Sequence, residues 1–417
     1  MNIDIESLKP QTTTLSNGQT LFLFPDPSLE IIKLDFGFEA GSAYQERMLV
    51  SGFANSLISE GTRHHTADEI AEFLDFRGIA LDKNIDTYVA NFSVYMLKKY
   101  AADLFPLVHE MLTEPAFSQK EFDVLFGKRR QLLMDSMQKG RYVARNIFFE
   151  QLFGKDHPQG KFAQISDFDL LKRDDVEAFF YKNYNLSQAE CVLSGGYDDE
   201  TVKLLDQIFG HHSMSPGNQR PQPNTAIHPD FTPCHHTLPT AVQSTLRIGG
   251  FIPYKWDSIE FARTLILNTI LGGYFGSRLM QNIREEKGYT YGISSAIQML
   301  REGCLFQVMS DVGAEVIQPA IDEVYKEMAR LCNEPVPEEE IERVCNFLEG
   351  DFIRSIDGIF ERSERFRQMS ASGINEDFTR NYFEAIRSTT PEQLQAIAKK
   401  LFVRENLLEV VVGPEKK

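Results

Sequence analysis

Nine histidines and five cysteines are the side chains that would hold a metal or attack a carbonyl, and their spacing is the first test of chemistry. Neither HExxH nor HxxEH occurs. The histidines are His64, His65, His109, His157, His211, His212, His228, His235 and His236, and most of the later ones crowd one Pro-rich stretch. A zinc site needs three or four convergent ligands. His64-His65 with Glu69 does not supply them, because adjacent side chains diverge by about 100° on a helix and Thr66 reads as that helix's cap. His211-His212 and His235-His236 read as exposed loop residues. Cys191, Cys234, Cys304, Cys332 and Cys345 are odd in number and never spaced CxxC, which argues against a disulfide framework and for free thiols in a reducing compartment. GxSxG is absent, and Cys191 in its apolar run reads as a buried, inert thiol. The Gly-rich stretch Leu271–Leu279 lacks the GK[ST] of a phosphate loop and reads as a tight turn.

One pair does suit carbonyl chemistry. Arg284 and Tyr291 lie seven residues apart in REEKGYTYG, across a helix end and the start of a strand. Gly288 is a natural helix stop, and Lys287 suits the negative helix end. A guanidinium and a phenol converging across that corner would donate to a peptide carbonyl as it becomes an oxyanion. Taken alone, an Arg on a helix and a Tyr in a strand are ordinary structural residues.

The elements that must position them alternate in period. Leu21–Phe24, Ile31–Phe38, Tyr88–Tyr95, Cys191–Leu193, Thr245–Phe251, Tyr291–Met299, Cys304–Ser310 and Leu408–Val412 read as strands. Between them lie amphipathic helices. One spans Ala67–Phe76 behind the capping box Thr66-x-x-Glu69, one follows Ser118-x-x-Glu121, and one opens at Pro391 after Thr390. Helices that follow one another directly predict an α+β fold, with helices packed on mainly antiparallel sheets. Residues 211–233 hold five prolines and read as a solvated linker between domains at 1–210 and 234–417. The segments repeat: Glu334-Pro335 follows Glu114-Pro115 by 220 residues, and Gly413 follows Gly196 by 217.

Composition excludes other classes. A net charge of −17 argues against nucleic-acid binding and against an anionic membrane surface. No window is apolar enough for a membrane span, and MNIDIESLKPQTTTLSNG is no signal peptide, so a cytoplasmic protein is expected.

Three stretches resemble the M16 (pitrilysin, insulinase-type) zinc peptidases: TTTLSNGQTLFLFPD, EGTRHHTADEIAEFLDFRGIAL and FGSRLMQNIREEKGYTYGISS. The resemblance spans nearly the whole chain. It implies two homologous halves of the M16 (LuxS/MPP-like metallohydrolase) type. The family's zinc helix carries HxxEH, yet the corresponding Gly52–Thr62 has no histidine and is about three residues short. Where a ligand Glu is expected stands Ser136, beside Asp135, and Arg129 replaces an upstream acid. The resemblance therefore implies no metal and no hydrolysis by this chain alone. The retained pair, carried over as Arg284 on the substrate backbone and Tyr291 on the scissile carbonyl, implies a non-catalytic subunit. It would complete the site of an HxxEH-bearing partner that holds the zinc, acting on peptides enclosed in an acidic interior that favours basic ones. The alternative is a structural or assembly protein that reuses the fold. An independent hydrolase with relocated ligands ranks last.

Overall fold

The computed structural model describes residues 9–211 and 223–415, so residues 212–222 of the linker, His212 among them, lie outside the described residues. In the first half the strands are β1 (Gln11–Thr14), β2 (Thr20–Pro25), β3 (Ile31–Phe38), β4 (Ala80–Ile85), β5 (Ala90–Leu97) and β6 (Glu190–Gly195). Its helices are α1 (Val50–Leu57), α2 (Ala67–Arg77), α3 (Ala101–Thr113), α4 (Gln119–Met137), α5 (Gly140–Phe153), α6 (Asp167–Leu170), α7 (Arg173–Asn183) and α8 (Asp199–Phe209). The second half contributes β7 (Cys234–Thr237), β8 (Gln243–Phe251), α9 (Ile259–Asn268), β9 (Thr290–Leu300) and β10 (Gly303–Gly313). It continues with α10 (Ile317–Asn333), α11 (Glu338–Arg354), α12 (Ile359–Ser372), α13 (Glu376–Ser388), α14 (Pro391–Leu401) and β11 (Leu408–Gly413).

Each half builds one sheet, ordered β1-β2-β6-β3-β5-β4 and β7-β11-β8-β10-β9. Apart from the extra edge strand β1, the two orders coincide, down to the one parallel pair in each, β2 with β6 and β7 with β11. The fold is α+β in two homologous halves. β7 is a departure from expectation: His235 and His236, read as loop, pair with Val411 and Val412 and stay exposed.

Period-2 alternation sorts the sheet faces. On β3, Ile32, Leu34, Phe36 and Phe38 enter the first core beneath the first-half helices. Lys33 and Asp35 face the other way, onto α12 of the second half. On β8, Leu246 and Ile248 enter the second core. The opposite face of that sheet receives α5 of the first half, whose Phe148, Phe149 and Phe153 pack with Leu408, Val410 and Val412. The halves thus exchange one helix each. Every buried Phe in that seam contributes about 1.5–3 kcal/mol, so the exchange welds the two sheets together. Linker residues also join the seam: Asp230 donates its N–H to the Gln151 carbonyl at 2.8 Å, and Ile227 and Phe231 pack on the α5 cluster.

Candidate functional site

The stretch expected to carry a metal helix folds as α1, with Val50, Ser51, Gly52, Phe53, Ala54, Asn55 and Leu57 buried. Two cations close on its polar side. Arg129 of α4 donates to Ser56 Oγ at 2.5 Å and lies 5.2 Å from the Phe53 ring centre. A Cβ on Gly52 would stand 2.6 Å from an Arg129 nitrogen, so a larger residue there would displace the guanidinium tip. Lys83 of β4 donates to the Ser56 carbonyl at 2.6 Å and to Ser59 Oγ, with Glu60 at 3.5 Å. Burial pushes the Lys83 and Arg129 pKa values down, and the Arg129 charge adds to the effect on Lys83. Zinc does not fit this arrangement, because a dication would replace nothing and meet two fixed positive charges. Among the described residues, no group of three His, Cys, Asp or Glu side chains is placed to hold a metal.

The other residues of the expected ligand set point elsewhere. Ser136 donates back to the Leu132 carbonyl of its own helix at 2.7 Å, and Asp135 accepts from Gln131. The polar residue of α4 that reaches α1 is Arg129, two turns earlier. His64 and His65 pair separately with Glu114 at 3.5 Å and Glu110 at 3.1 Å.

What α1 does instead is shown by its counterpart. Asn55 Nδ2 donates to the Asn84 carbonyl of edge strand β4 at 3.0 Å, while its Oδ1 accepts from the buried Tyr184 hydroxyl. In the second half, Asn268 at the end of α9 donates to the Ser295 carbonyl of edge strand β9 at 3.4 Å. The corresponding helices of the two halves are thus tethered to their edge strands in the same way. Neither Asn55 nor Lys83 stands out in the sequence, because their partners are 29 and 27 residues away.

The retained pair lies in the second half. After α9 the chain enters a π-helical turn, Thr269–Gly273, then a second π-helical stretch, Met280–Glu286, which carries Arg284. Wide turns of this kind gather at functional sites. The Lys287 N–H reaches back five residues to the Asn282 carbonyl, and Gly288 ends the stretch at φ +66°. Between them, Arg278 clamps Glu340 of α11 with two hydrogen bonds, 3.0 and 2.7 Å. Arg284 stacks 5.0 Å from the Phe275 ring centre, with Glu285 3.2 Å away. Phe275 is itself exposed.

Tyr291 is 92 % exposed, and the cause is a β-bulge. Ser310 pairs with Ile293 but Val312 pairs with Thr290, so β9 spends Tyr291 and Gly292 opposite the single residue Asp311. A bulge re-aims side chains. Thr290 Oγ1 donates to the Asp311 carbonyl at 2.6 Å and accepts from the Gly292 N–H at 3.0 Å, while Ser310 Oγ donates to the Gly292 carbonyl. These bonds fix the bulge. The phenol therefore points into solvent from an edge strand, and so does the Arg284–Phe275 stack from the neighbouring loop. The bulge fixes the backbone at Tyr291 and Phe275 supports Arg284, and no contact within the described residues joins the two side chains.

Among the described residues, no helix is long and apolar enough to cross a membrane. All five cysteines are unpaired; Cys191 is fully buried, and burial pushes Cys304 up to about 12.

Comparison with known proteins follows the same lines. A family model described as the peptidase M16 inactive domain matches residues 171–348. An uncharacterized zinc protease of Rickettsia bellii is 21 % identical, with 96 % of each chain aligned. A Helicobacter pylori protein named a non-peptidase homolog is 23 % identical over 57 % of this chain and 55 % of its own length. A Pseudomonas fluorescens crystal structure of a peptidase M16 inactive domain superposes with a TM-score of 0.83 over 98 % of both chains, at 19 % identity.

Proposed function

We propose that this M16-family homologue is the non-catalytic subunit of a two-chain peptidase, presenting Arg284 and Tyr291 to the metal site of an HxxEH-bearing partner. The observation that carries the reading is the bulge at Tyr291. It exposes a phenol that a regular strand would turn toward the core, in a chain whose own metal position is filled by Arg129 and Lys83.

In the complex, Arg284 holds the peptide backbone and Tyr291 donates to the scissile oxygen as negative charge builds on it. A preorganised phenol costs no reorganisation at that moment. The partner's zinc supplies the activated water. This chain contributes the donors and one wall that excludes solvent, and acts where its five thiols stay reduced, in the cytoplasm.

The test is co-expression with an HxxEH-bearing M16 subunit and an assay of peptide hydrolysis. Neither chain alone should reach the rate of the pair, and Tyr291→Phe should lower kcat by about 10²–10³, the worth of one oxyanion donor. Arg284→Ala should act through both KM and kcat. Full activity of the partner without this chain, or hydrolysis indifferent to both substitutions, would refute the reading.

A further inference from the structure

Where the halves interlock, their symmetry holds in shape and breaks in charge. α12 begins at Ile359 and α5 at Gly140, and this offset aligns their contacts. Phe360 meets Tyr95 where Arg141 pairs with Asp311, and Arg367 reaches Asp35 where Phe148 lies beside Arg247. On that correspondence, the acids Asp35 and Glu364 of the first seam become Arg247 and Arg145 in the second.

The first seam is internally neutralised: Lys33 and Arg367 meet Asp35 and Glu364. The second is not. Arg247 donates to the neutral Gln307 and lies 5.6 Å from the Phe148 ring centre, while its Nε is buried without a partner. Arg145 lies over Phe149 and Phe162. Aromatic faces offset only part of the cost of drawing a guanidinium out of water. Burial and the Arg145 charge push Arg247 down to about 10.

Beside these arginines opens a cavity of about 380 Å³, lined by Arg141, Thr245, Arg247, Ser294, Ser310 and Asp311. It also touches Gly292 of the bulge, next to Tyr291. The first turn of α5, whose Gly140 lies beside Thr245 of the lining, contains no side-chain cap and no acidic residue of its own. Two arginines line the cavity against one carboxylate, and Asp311 already pairs with Arg141, which leaves the Arg247 charge unmatched among the lining residues. A chain of net charge −17 repels anions at long range, so a local cationic cavity must act by contact.

We propose that this cavity binds a carboxylate of an extended peptide lying past Tyr291, either the peptide's C-terminus or an acidic side chain. The choice of a peptide as carrier rests on the function proposed above; the carboxylate rests on the arginines alone and requires no partner subunit.

Fluorescence anisotropy on the full chain, with a labelled six-residue peptide bearing one Glu and a free C-terminus, tests it. An amidated twin and a Glu→Gln twin distinguish the two sources of carboxylate. One twin should bind about tenfold more weakly, the worth of a charge-assisted hydrogen bond. Arg247→Met should weaken the parent peptide as much without lowering the unfolding midpoint, because it removes a half-buried charge. Arg141→Gln, at an exposed site, should weaken it severalfold and serves as the deciding variant if Arg247→Met does not fold. Equal affinity for all three peptides, or wild-type affinity in every folded variant, overturns the proposal. Equal affinity for all three peptides with intact partner-dependent hydrolysis overturns only the cavity's role. Absence of binding by all peptides together with absence of hydrolysis overturns both readings.

Discussion

Asp35→Ala should be among the most damaging substitutions in the chain, although Asp35 touches no proposed substrate. Its carboxylate is fully buried and accepts from Arg367 at 2.8 Å and from Ser93, with Lys33 Nζ at 3.1 Å. Lys33 and Arg367 are only 3 % and 6 % exposed. Deleting the acid leaves two buried cations sharing Glu364, which is 45 % exposed and 3.2 and 3.4 Å away, with Glu190 4.0 Å from Arg367. Stranding a buried charge costs about 3–5 kcal/mol, and residual pairing to Glu364 places the expectation near 3 kcal/mol. Urea unfolding would measure it by two probes: far-UV circular dichroism for the whole chain and the single Trp256 for the second half. The wild-type transitions should coincide, and in the variant they should separate, because the seam that α12 makes with the first sheet has weakened. A pH signature should accompany the loss. In the wild type, burial works against the Lys33 charge, but Asp35 and Glu364 outweigh it and hold the pKa above 10.5. Without Asp35 the folded pKa drops below that of the unfolded chain, so the variant's stability should rise with pH toward 10.5. The triple change Lys33→Met, Asp35→Leu, Arg367→Met should recover most of the loss, since an apolar replacement strands no charge. A cost below about 1 kcal/mol for Asp35→Ala would refute this account of the seam.

Tyr291→Phe, at an exposed site, should shift the unfolding free energy of the isolated chain by less than about 0.5 kcal/mol, and Arg284→Ala, at a half-buried one, by no more than about 1 kcal/mol; larger losses would mean that the pair is structural. Histidines placed at Asn55 and Ser59 should not bind zinc by isothermal titration calorimetry while Arg129 and Lys83 remain, whereas adding Arg129→Glu should let binding appear. Burial holds the Glu190 pKa above its ordinary value, against the Ser370 hydrogen bond and the Arg367 charge. A raised carboxylate pKa means that the folded state binds the extra proton, so its ionisation costs stability as pH rises through that value. Glu190→Gln should therefore be more stable than wild type at pH 7, with the difference shrinking as pH falls toward 4.5; a constant difference would exclude the titration.

Local chemistry was legible in the sequence, and long-range chemistry was not. The capping box at Thr66 forms as read, and the helix opens at Pro391 after Thr390 as read, its Thr390 box with Gln393 going unread. At Ser118 only half of the box forms: the hydroxyl accepts the Glu121 N–H, while the Glu121 carboxylate pairs with Lys120. Strands with an apolar face were found, but β4 and β7 were missed, and β1 entered only through the resemblance of TTTLSNGQTLFLFPD to an opening strand pair. β4 reads ALDKNI and alternates exposed with half-buried, the mark of an edge that borrows its order from β5. The π-helical turns around Arg284 have no propensity signature. The exchange of α5 and α12 could not be read either, since an amphipathic helix does not name the sheet it will cover. Arg129 was noticed as a lost acid, but its reach across to Ser56 exists only in three dimensions.

The duplication provides an internal control for function. Two sheets with one strand order need the same packing, so a difference between corresponding positions that packing does not demand requires another cause. β4 and β5 pair without interruption from Ala80 to Ile85, while their counterparts β9 and β10 are broken by one extra residue at Tyr291-Gly292. At the position the regular register assigns opposite Tyr291, the first half has Ile79, buried in its core. Turning that position outward gives up an apolar contact worth about 1.5–3 kcal/mol on full burial and exposes an aromatic ring to water. Stability alone would remove such a bulge. Its persistence is explained if the phenol is used outside the chain, and the same reasoning applies to Arg247 and Arg145 in place of Asp35 and Glu364. Both breaks in symmetry border one cavity on the second sheet, and the first half has neither.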